Sequence, residues 1–316
     1  MKRLIFWLAL LLSPLAALAQ EKIIVSGASG QLGSLVIEEL LAREVAPGNL
    51  ILVSRTPDTE HLQSYAARGA SVRFGDFTDP ASLDAAYAGG ARMLLISING
   101  GGGSRPELHK VAIDAAARAG VRHIAYTSYV NADSNEASTI AVDHRRTERI
   151  LQESGLAWTM LRNQIYADGL VDQAIQIVRD GGFVTHTPDA RVAYVTREDC
   201  AAAAAAVLTT AGHENRSYNI TGPDAIGPRD LVALASELSG KPVELMALTE
   251  QQYREQLAAS GMAEAGINGT ISFAAELDSP YLREPSSAVA DLTGRPATSV
   301  RGLLLANRER LQDAAR

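Results

Sequence analysis

The sequence predicts an α/β protein built on a Rossmann-type, doubly wound parallel sheet. From residue 22 onwards, short apolar runs alternate with amphipathic helical stretches. The first run breaks into glycines with the spacing G-x-x-G-x-x-G, at Gly27, Gly30 and Gly33, immediately before a helical stretch. Because strands that are apolar throughout are buried on both faces, their alternation with helices indicates a parallel sheet covered on both sides. A smaller α/β substrate domain is predicted to follow it.

The predicted elements follow one another in a regular order. Strands are expected at 23–26, 50–54, 71–74, 93–97, 123–128 and 157–161, and helices near 31–43, 59–68, 80–87, 105–119 and 141–154. Beyond Arg162 the alternation loosens, with helices near 168–179, 197–210, 228–239 and 249–259 and short strand-like pieces at 216–221 and 242–245. Glycine and proline interrupt this half repeatedly. We therefore expect a dinucleotide-binding domain at 20–162 and a substrate domain at 163–316 that partly returns to the sheet.

Residues 1–19 have the pattern of a secretion signal. Lys2 and Arg3 form a basic start, residues 4–12 are apolar, and a small-x-small cleavage site ends at Ala19. Cleavage after Ala19 would leave no stable membrane span and an exported, periplasmic protein. The alternatives are an inner-membrane anchor, for which the apolar stretch is short, and a cytoplasmic protein.

Composition excludes some partners and leaves the oligomeric state open. Acidic residues outnumber basic ones by 36 to 29, which argues against nucleic acid. Cys200 is the single cysteine and lies in an alanine-rich run, so we expect a small buried side chain and no internal disulfide. The histidines show no metal-ligand spacing, and no G-x-S-x-G elbow is present. The sequence thus predicts neither a metal centre nor a serine hydrolase.

The glycine turn is suited to a dinucleotide pyrophosphate. Gly27 permits the tight turn, Gly30 lets the backbone approach the phosphates, and Gly33 lets the helix pack close to its strand. Free N–H groups and the dipole at the start of the helix favour negative charge there. In its strand-to-helix context, the motif predicts nucleotide binding.

Three more strand ends extend this predicted site. Arg55 ends the second strand where an NAD-preferring protein has an acidic residue, which favours the 2′-phosphate of NADPH. Asp76 could meet the adenine, with Phe77 packed nearby. Ser97 and Asn99 stand at the carboxyl end of the fourth strand, where ligands bind in open α/β sheets.

Each of these positions also has a simpler structural interpretation. Arg55 could be a solvated strand end. Residues 78 and 79 could merely cap the helix that begins with Pro80. The glycine-rich segment after Asn99 could be a surface loop.

Taken in order, the motifs GASGQLG, VSR, GDFTDP, LLISING, IAYTSY, DHRRTE and LRNQIY resemble the NmrA-like atypical short-chain dehydrogenases/reductases, and particularly their bacterial NADPH-dependent quinone oxidoreductases. The resemblance covers nearly all of residues 22–310 and implies a Rossmann domain that binds NADPH, with a C-terminal domain closing a cleft. It implies that the pyrophosphate and 2′-phosphate are lined by Gly27, Ser29, Gly30, Gln31, Leu32 and Arg55, that Asp76 and Phe77 flank the adenine, and that Thr139 to His144 and Asn163 lie near the nicotinamide and substrate.

The chain lacks the proton-donating pair of ordinary short-chain dehydrogenases. That pair is Tyr-x-x-x-Lys, and none of Lys2, Lys22, Lys110 and Lys241 stands four residues after a tyrosine. Reduction of a quinone requires less acid catalysis than reduction of a ketone, because a quinone is already a good hydride acceptor. We therefore expect direct hydride transfer from NADPH to a quinone-like acceptor, without flavin or metal.

Four side chains are candidates for the acceptor end of the site. His144 and Tyr129 could hydrogen-bond the quinone oxygens, and Asn163 and Tyr166 could shape the pocket. Alternatively, His144 is a surface or capping residue and the two tyrosines are core rings. At the level of function, the alternatives are a non-catalytic NADP(H) sensor of the NmrA-like type and an epimerase-like enzyme, the latter disfavoured by the missing Tyr-Lys pair.

Overall fold

The computed structural model describes residues 21–98, 104–136 and 138–316. The predicted signal segment 1–19 and the candidate Asn99 lie outside the described residues. In chain order, the strands are β1 (Ile23–Ser26), β2 (Leu50–Ser54), β3 (Ser71–Phe74), β4 (Arg92–Leu95), β5 (His123–Tyr129), β6 (Ala157–Asn163), β7 (Gly182–Thr185), β8 (Arg216–Ile220) and β9 (Glu244–Ala247). The helices are α1 (Gln31–Ala42), α2 (Glu60–Ala67), α3 (Pro80–Tyr87), α4 (Arg105–Arg118), α5 (Thr139–Glu153), α6 (Gly169–Asp180), α7 (Arg197–Thr209), α8 (Pro228–Ser239), α9 (Glu250–Ala259), α10 (Glu264–Leu277), α11 (Ala288–Thr293), α12 (Val300–Ala306) and α13 (Arg308–Ala314).

The predicted doubly wound fold is confirmed. Seven parallel strands form one sheet in the order β3-β2-β1-β4-β5-β6-β8. Its topology reverses at β1, where Ile23 pairs with Leu50 of β2 on one side and with Arg92 of β4 on the other. Ligands bind at such a reversal, beyond the carboxyl ends of the strands.

The two faces of the sheet carry separate hydrophobic cores. Along β1, Ile23 and Val25 face a core shared with α1, α2, α7 and α11, whereas Ile24 faces a core shared with α3, α4 and α5. All of β1 is buried, which explains its uninterrupted apolar sequence.

The second half of the chain returns to the sheet through β8 and α7. Strand β8 pairs with β6, and α7 packs against α1. Cys200 lies in α7 and is buried, as predicted, and burial raises the pKa of its thiol well above the ordinary value. The predicted domain boundary after residue 162 stays a prediction, since elements beyond it complete the sheet.

A second, smaller core lies outside the main sheet. It is formed by α6, α8, α12 and α13 with a two-stranded parallel pair, β7 and β9. Helices α9 and α10 pack against each other at its edge, and α9 has no buried residue. The sequence reasoning missed β7 and α10 to α13 because these elements are short or mostly exposed.

No helix within the described ranges combines the length and the apolar character needed to cross a membrane.

Candidate active site

A cleft of about 580 Å³ lies at the carboxyl ends of β1 to β4, where the sheet order reverses. Of the residues predicted to bind the cofactor, those that line it are Gly27, Ser29, Gly30, Arg55, Asp76, Phe77 and Ser97. The strand ends that were separate along the sequence are therefore brought together.

The glycine turn forms one wall of this cleft. Gly27 has a φ of +95°, in the left-handed region that favours glycine. Its N–H and that of Ala28 donate to the carbonyl of Val53 at 3.0 and 3.1 Å, which fixes the turn against β2. A Cβ on Gly33 would lie 2.2 Å from the Gly27 carbonyl oxygen, so only glycine lets α1 pack this closely.

Helix α1 begins beside the cleft with its backbone donors available. Gly30 is the N-cap and has no side chain to accept from them, and the first turn carries no acidic residue. The N-terminus of a helix in this condition favours an anion. Gln31 is exposed at the start of α1, whereas Leu32 is buried in the core and, like Gly33, does not line the cleft.

Arg55 and two hydroxyl residues form the end of the cleft at β2. Arg55 is exposed and has no ion pair with any residue in the described ranges. Ser54 and Thr56 line the cleft on either side of it. Ser54 Oγ donates to Ser29 Oγ at 2.8 Å and accepts from the Thr56 N–H at 2.9 Å. The sequence reasoning missed these hydroxyls, although they flank Arg55 directly.

Asp76 is held in a turn at the end of β3. Its Oδ1 accepts from the backbone N–H and from the hydroxyl of Thr78, both at 2.9 Å. The Thr78 backbone hydrogen bond is the main cause that lowers the Asp76 pKa, and the Arg55 charge contributes. Asp79 is the N-cap of α3 but makes no side-chain capping bond. A role of Asp76 at the adenine and a start of the helix at Asp79 are compatible, because they use different residues.

Ser97 marks the end of the cleft after β4. Its N–H donates to Thr127 Oγ1 at 2.8 Å. Its own hydroxyl is buried and makes no hydrogen bond of good geometry in the described part of the chain, although it lies near enough to Tyr126 to lower that residue's pKa. Leaving such a group unpaired is costly. The helix N-terminus, the unpaired Arg55 and this hydroxyl are together suited to a phosphate-bearing, polar ligand such as a nicotinamide dinucleotide.

His144 is an interior residue of α5, neither a surface nor a capping residue. Its Nδ1 lies 2.7 Å from the Tyr126 hydroxyl, and its ring stacks on Tyr129 with the centroids 6.0 Å apart. Burial is the main cause that holds the His144 pKa well below its ordinary value, and the Arg105 charge contributes. His144 is therefore a neutral imidazole. Thr139, the first residue of α5, is exposed and does not line the cleft.

The Tyr129 hydroxyl is already engaged. It donates to Glu276 Oε1 of α10 at 3.0 Å, and burial together with the Glu276 charge raises its pKa. Asn135 Nδ2 contacts the same carboxylate oxygen at 3.4 Å. Tyr129 thus links the end of β5 to α10, and its predicted contact with an acceptor stays a prediction.

Asn163 and Tyr166 lead from the main sheet to a second cavity. Asn163 ends β6, and its Nδ2 donates to the Tyr166 hydroxyl at 3.4 Å. Its Oδ1 is buried without a partner among the described residues. Burial raises the pKa of Tyr166, and the Arg197 guanidinium lies 4.5 Å from the centre of its ring.

The second cavity has a volume of about 410 Å³ and a mainly apolar wall that includes six ring side chains. Besides Tyr166, its rings come from Phe183, His186, Tyr194, Tyr253 and Phe273. The ring of Tyr253, in α9, stacks on His186 with the centroids 5.0 Å apart. Helices α9 and α10 therefore cover this cavity on one side. The sequence reasoning missed these residues because several lie on elements that it did not predict.

Among the described residues, no group of three His, Cys, Asp or Glu side chains is arranged to hold a metal ion.

Comparisons with known proteins agree with this geometry. A family model described as NAD(P)H-binding matches residues 27–211. Quinone oxidoreductase 2 of Escherichia coli (strain K12) is 34% identical over 278 residues, which are 88% of this chain and 96% of that protein.

Two solved structures are similar over most of the chain. The NADPH-dependent quinone oxidoreductase of Escherichia coli, complexed with NADPH, has a TM-score of 0.81 and 33% identity, covering 92% of this chain and 99% of that one. The triphenylmethane reductase of Citrobacter sp., complexed with NADP(H), has a TM-score of 0.79 and 31% identity, covering 93% and 99%. The predicted nicotinamide cofactor and family resemblance are thereby confirmed. The chain belongs to the NAD(P)H-binding oxidoreductases of the NmrA-like family.

Proposed function

We propose that this protein transfers a hydride from NADPH directly to a quinone-like acceptor held in the second cavity. The observation that carries the proposal is the position of that aromatic cavity. It begins at Tyr166, whose hydroxyl contacts Asn163 at the end of β6. Strand β6 lies two places from β4, whose end lines the dinucleotide cleft.

The dinucleotide cleft supports NADPH as the donor. The backbone donors at the start of α1 would hold the pyrophosphate, and Arg55 with Ser54 and Thr56 would hold a 2′-phosphate. The bound cofactor supplies the hydride, and the protein supplies position.

The second cavity supports a flat aromatic acceptor. Rings such as Phe183, Tyr194 and Phe273 offer surfaces on which such a molecule can stack. The cover formed by α9 and α10 would exclude water from the acceptor. Holding the acceptor ring against the nicotinamide would then provide most of the rate enhancement, since orientation alone can be worth several orders of magnitude.

The test is NADPH oxidation in the presence of 1,4-benzoquinone and 1,4-naphthoquinone. We expect turnover with both, and loss of deuterium from only one of the two C4 positions of NADPH, read in the NADP⁺ formed because label on a hydroquinone oxygen exchanges with water. Tight NADPH binding with no turnover above buffer would refute the proposal and favour the NADP(H) sensor instead.

A pair of variants on α10 tests the position of the acceptor. Thr270 lines the second cavity, whereas Ser272 is exposed on the same helix and does not. Thr270→Trp should raise the quinone KM while leaving NADPH affinity unchanged, because the indole would fill part of the cavity. Ser272→Trp is the matched control and should behave like the parent protein. Equal effects of the two substitutions would place the acceptor elsewhere.

We further propose that the chain is exported and cleaved after Ala19. The basic start, the apolar stretch and the small-x-small site support this. Strand β1 begins at Ile23, so cleavage after Ala19 would leave every described strand in the mature protein. Cell fractionation and N-terminal sequencing are the test. A mature form that begins at Gln20 in the periplasm is expected, and an uncleaved cytoplasmic form would refute export.

A further inference from the structure

We propose that Tyr126 and His109 are positioning residues that hold His144 with its proton on Nε2, so that it donates a hydrogen bond to the acceptor oxygen. The proposal rests on the proposed function for its final step, because it takes His144 as the donor. The arrangement of the imidazoles is independent of that step.

The network runs from the wall of the dinucleotide cleft to His144. Ile98 lines the cleft, and its N–H donates to His109 Nε2 at 3.2 Å. His109 Nδ1 lies 3.1 Å from Thr147 Oγ1 and 3.4 Å from the Tyr126 hydroxyl. That hydroxyl lies 2.7 Å from His144 Nδ1. His109 and Tyr126 are completely buried, and His144 is 6% exposed.

The backbone N–H of Ile98 determines where the protons lie. A backbone N–H can only donate, so His109 Nε2 must accept and the His109 proton must be on Nδ1. Thr147 Oγ1 donates to the Asp143 carbonyl at 3.2 Å, so it can accept from His109 Nδ1. No acceptor at His109 is then left for the Tyr126 proton.

The Thr147 and Ser97 hydroxyls also interact with Tyr126, but His144 Nδ1, at 2.7 Å, is its shortest hydrogen-bond contact, and we infer that the Tyr126 proton points there. Burial raises the pKa of Tyr126, which keeps its hydroxyl protonated, and burial keeps His144 neutral. Tyr126 donates to His144 Nδ1, and the single proton of the neutral His144 ring is left on Nε2. No residue in the described ranges bonds to this Nε2. His144 lines neither cavity, but it stacks on Tyr129, which packs in one cluster with Tyr194 of the second cavity's wall.

This arrangement suits an acceptor that gains negative charge on oxygen. A neutral N–H donor stabilises a developing oxyanion and does not lose that ability when the pH changes near neutrality. Stacking on Tyr129 fixes the plane of the imidazole, and Tyr126 fixes its rotation. Ile98 lines the dinucleotide cleft and also bonds His109, the first residue of the network that orients His144. The same backbone segment therefore contributes to the cofactor site and to the orientation of His144.

The test is Tyr126→Phe, with Tyr218→Phe as the matched control. Tyr218 also bonds a histidine, through its hydroxyl to His213 Nδ1 at 2.9 Å, but it lies on β8, the edge strand of the sheet, and not on β5. Long-range ¹H–¹⁵N spectra report which nitrogen of each histidine carries the proton. In the parent protein we expect His144 to be protonated on Nε2 alone at pH 7.

The kinetic readout separates positioning from folding. Tyr126→Phe should lower kcat about tenfold with 1,4-benzoquinone, since a loosely held donor loses orientation, while NADPH affinity is retained. Tyr218→Phe should leave kcat unchanged. His109→Gln, which still offers one acceptor and one donor, should preserve the His144 tautomer better than His109→Leu.

Two results would overturn the inference. One is a parent spectrum with His144 protonated on Nδ1 or on both nitrogens at pH 7. The other is a Tyr126→Phe protein whose kcat and His144 signals match those of Tyr218→Phe. If the parent shows the expected tautomer but no quinone turnover, the proposed function fails, and with it the donor role of His144.

Discussion

Arg55 is the residue on which selection of the phosphorylated cofactor should depend. It is exposed at the end of β2, lines the dinucleotide cleft and has no ion pair within the described ranges. Its replacement by glutamine therefore breaks no salt bridge of the described protein. A loss of NADPH affinity in this variant can then be attributed to a lost contact with the ligand.

The size of the effect follows from the exposure of this charge. A hydrogen bond to a charged group contributes about 1.5–3 kcal/mol, and solvent screening at an exposed position favours the lower value. A loss of about 1.5 kcal/mol weakens binding roughly tenfold. NADH has no 2′-phosphate, so its affinity should change less than twofold.

The assay is the dissociation constant of NADPH and of NADH, followed by nicotinamide fluorescence at low and at high salt. Arg55→Gln should raise the NADPH Kd about tenfold at low salt, and the difference should shrink at high salt. Arg68→Gln makes the same change of charge at the end of α2, outside the cleft, and is the control. An equal loss for NADPH and NADH, or no loss for either, would refute the assignment of Arg55 to the 2′-phosphate.

Two further predictions concern the stability of the site. Gly33→Ala should abolish dinucleotide binding and lower the melting temperature, because its Cβ would lie 2.2 Å from the Gly27 carbonyl oxygen; a variant that melts and binds NADPH as the parent does would contradict this. His109, His123 and His144 are buried with lowered pKa values, about 3, about 4 and well below 6.5, so the unfolded chain takes up protons near pH 6.5 that the folded chain does not. Their contribution is complete above the unfolded pKa and is lost as the pH falls, by about 3 kcal/mol between pH 6.5 and 5.5. Urea denaturation at the two pH values measures this loss, and an unchanged or rising midpoint at pH 5.5 would show that these imidazoles are not held neutral.

The sheet and the dinucleotide cleft could be predicted because they depend on local signals. Strand β1 is buried along its whole length, so its apolar run stands out from the flanking sequence. Gly27 and Gly33 are required by a positive φ and by a close backbone approach, and such requirements appear directly in the sequence. In a motif of this kind, the residues that form the turn and those that require its glycines lie within about ten positions of one another.

Contacts between distant segments could not be predicted in this way. Helix α7 contains a run of six alanines among its 13 residues, which indicates a helix but not the surface on which it packs, and that surface is α1. Similarly, Arg162 forms a paired ion bridge with the buried Glu148, with its Nε 2.9 Å from Oε1 and its NH2 2.8 Å from Oε2. Both residues lie in motifs that suggested the family, but the partner of each stands in the other motif, so neither motif alone indicates the pair. The walls of the second cavity come from still more distant elements.

The site also explains why an acceptor that needs little acid help suits this protein. The histidines and tyrosines near the ends of β5 and β6 have pKa values shifted away from pH 7, downwards for the histidines and upwards for the tyrosines. Burial lowers the pKa of His109 and His144 and raises the pKa of Tyr126, Tyr129 and Tyr166. Near pH 7 the imidazoles stay neutral and the phenols stay protonated, so these groups can donate hydrogen bonds but do not readily exchange protons. Reduction of a simple ketone needs a proton delivered to a strongly basic alkoxide, which this set of groups is poorly placed to supply. A reduced quinone is a much weaker base and can take its protons from water after the hydride has moved, so neutral donors that only orient and stabilise it are sufficient.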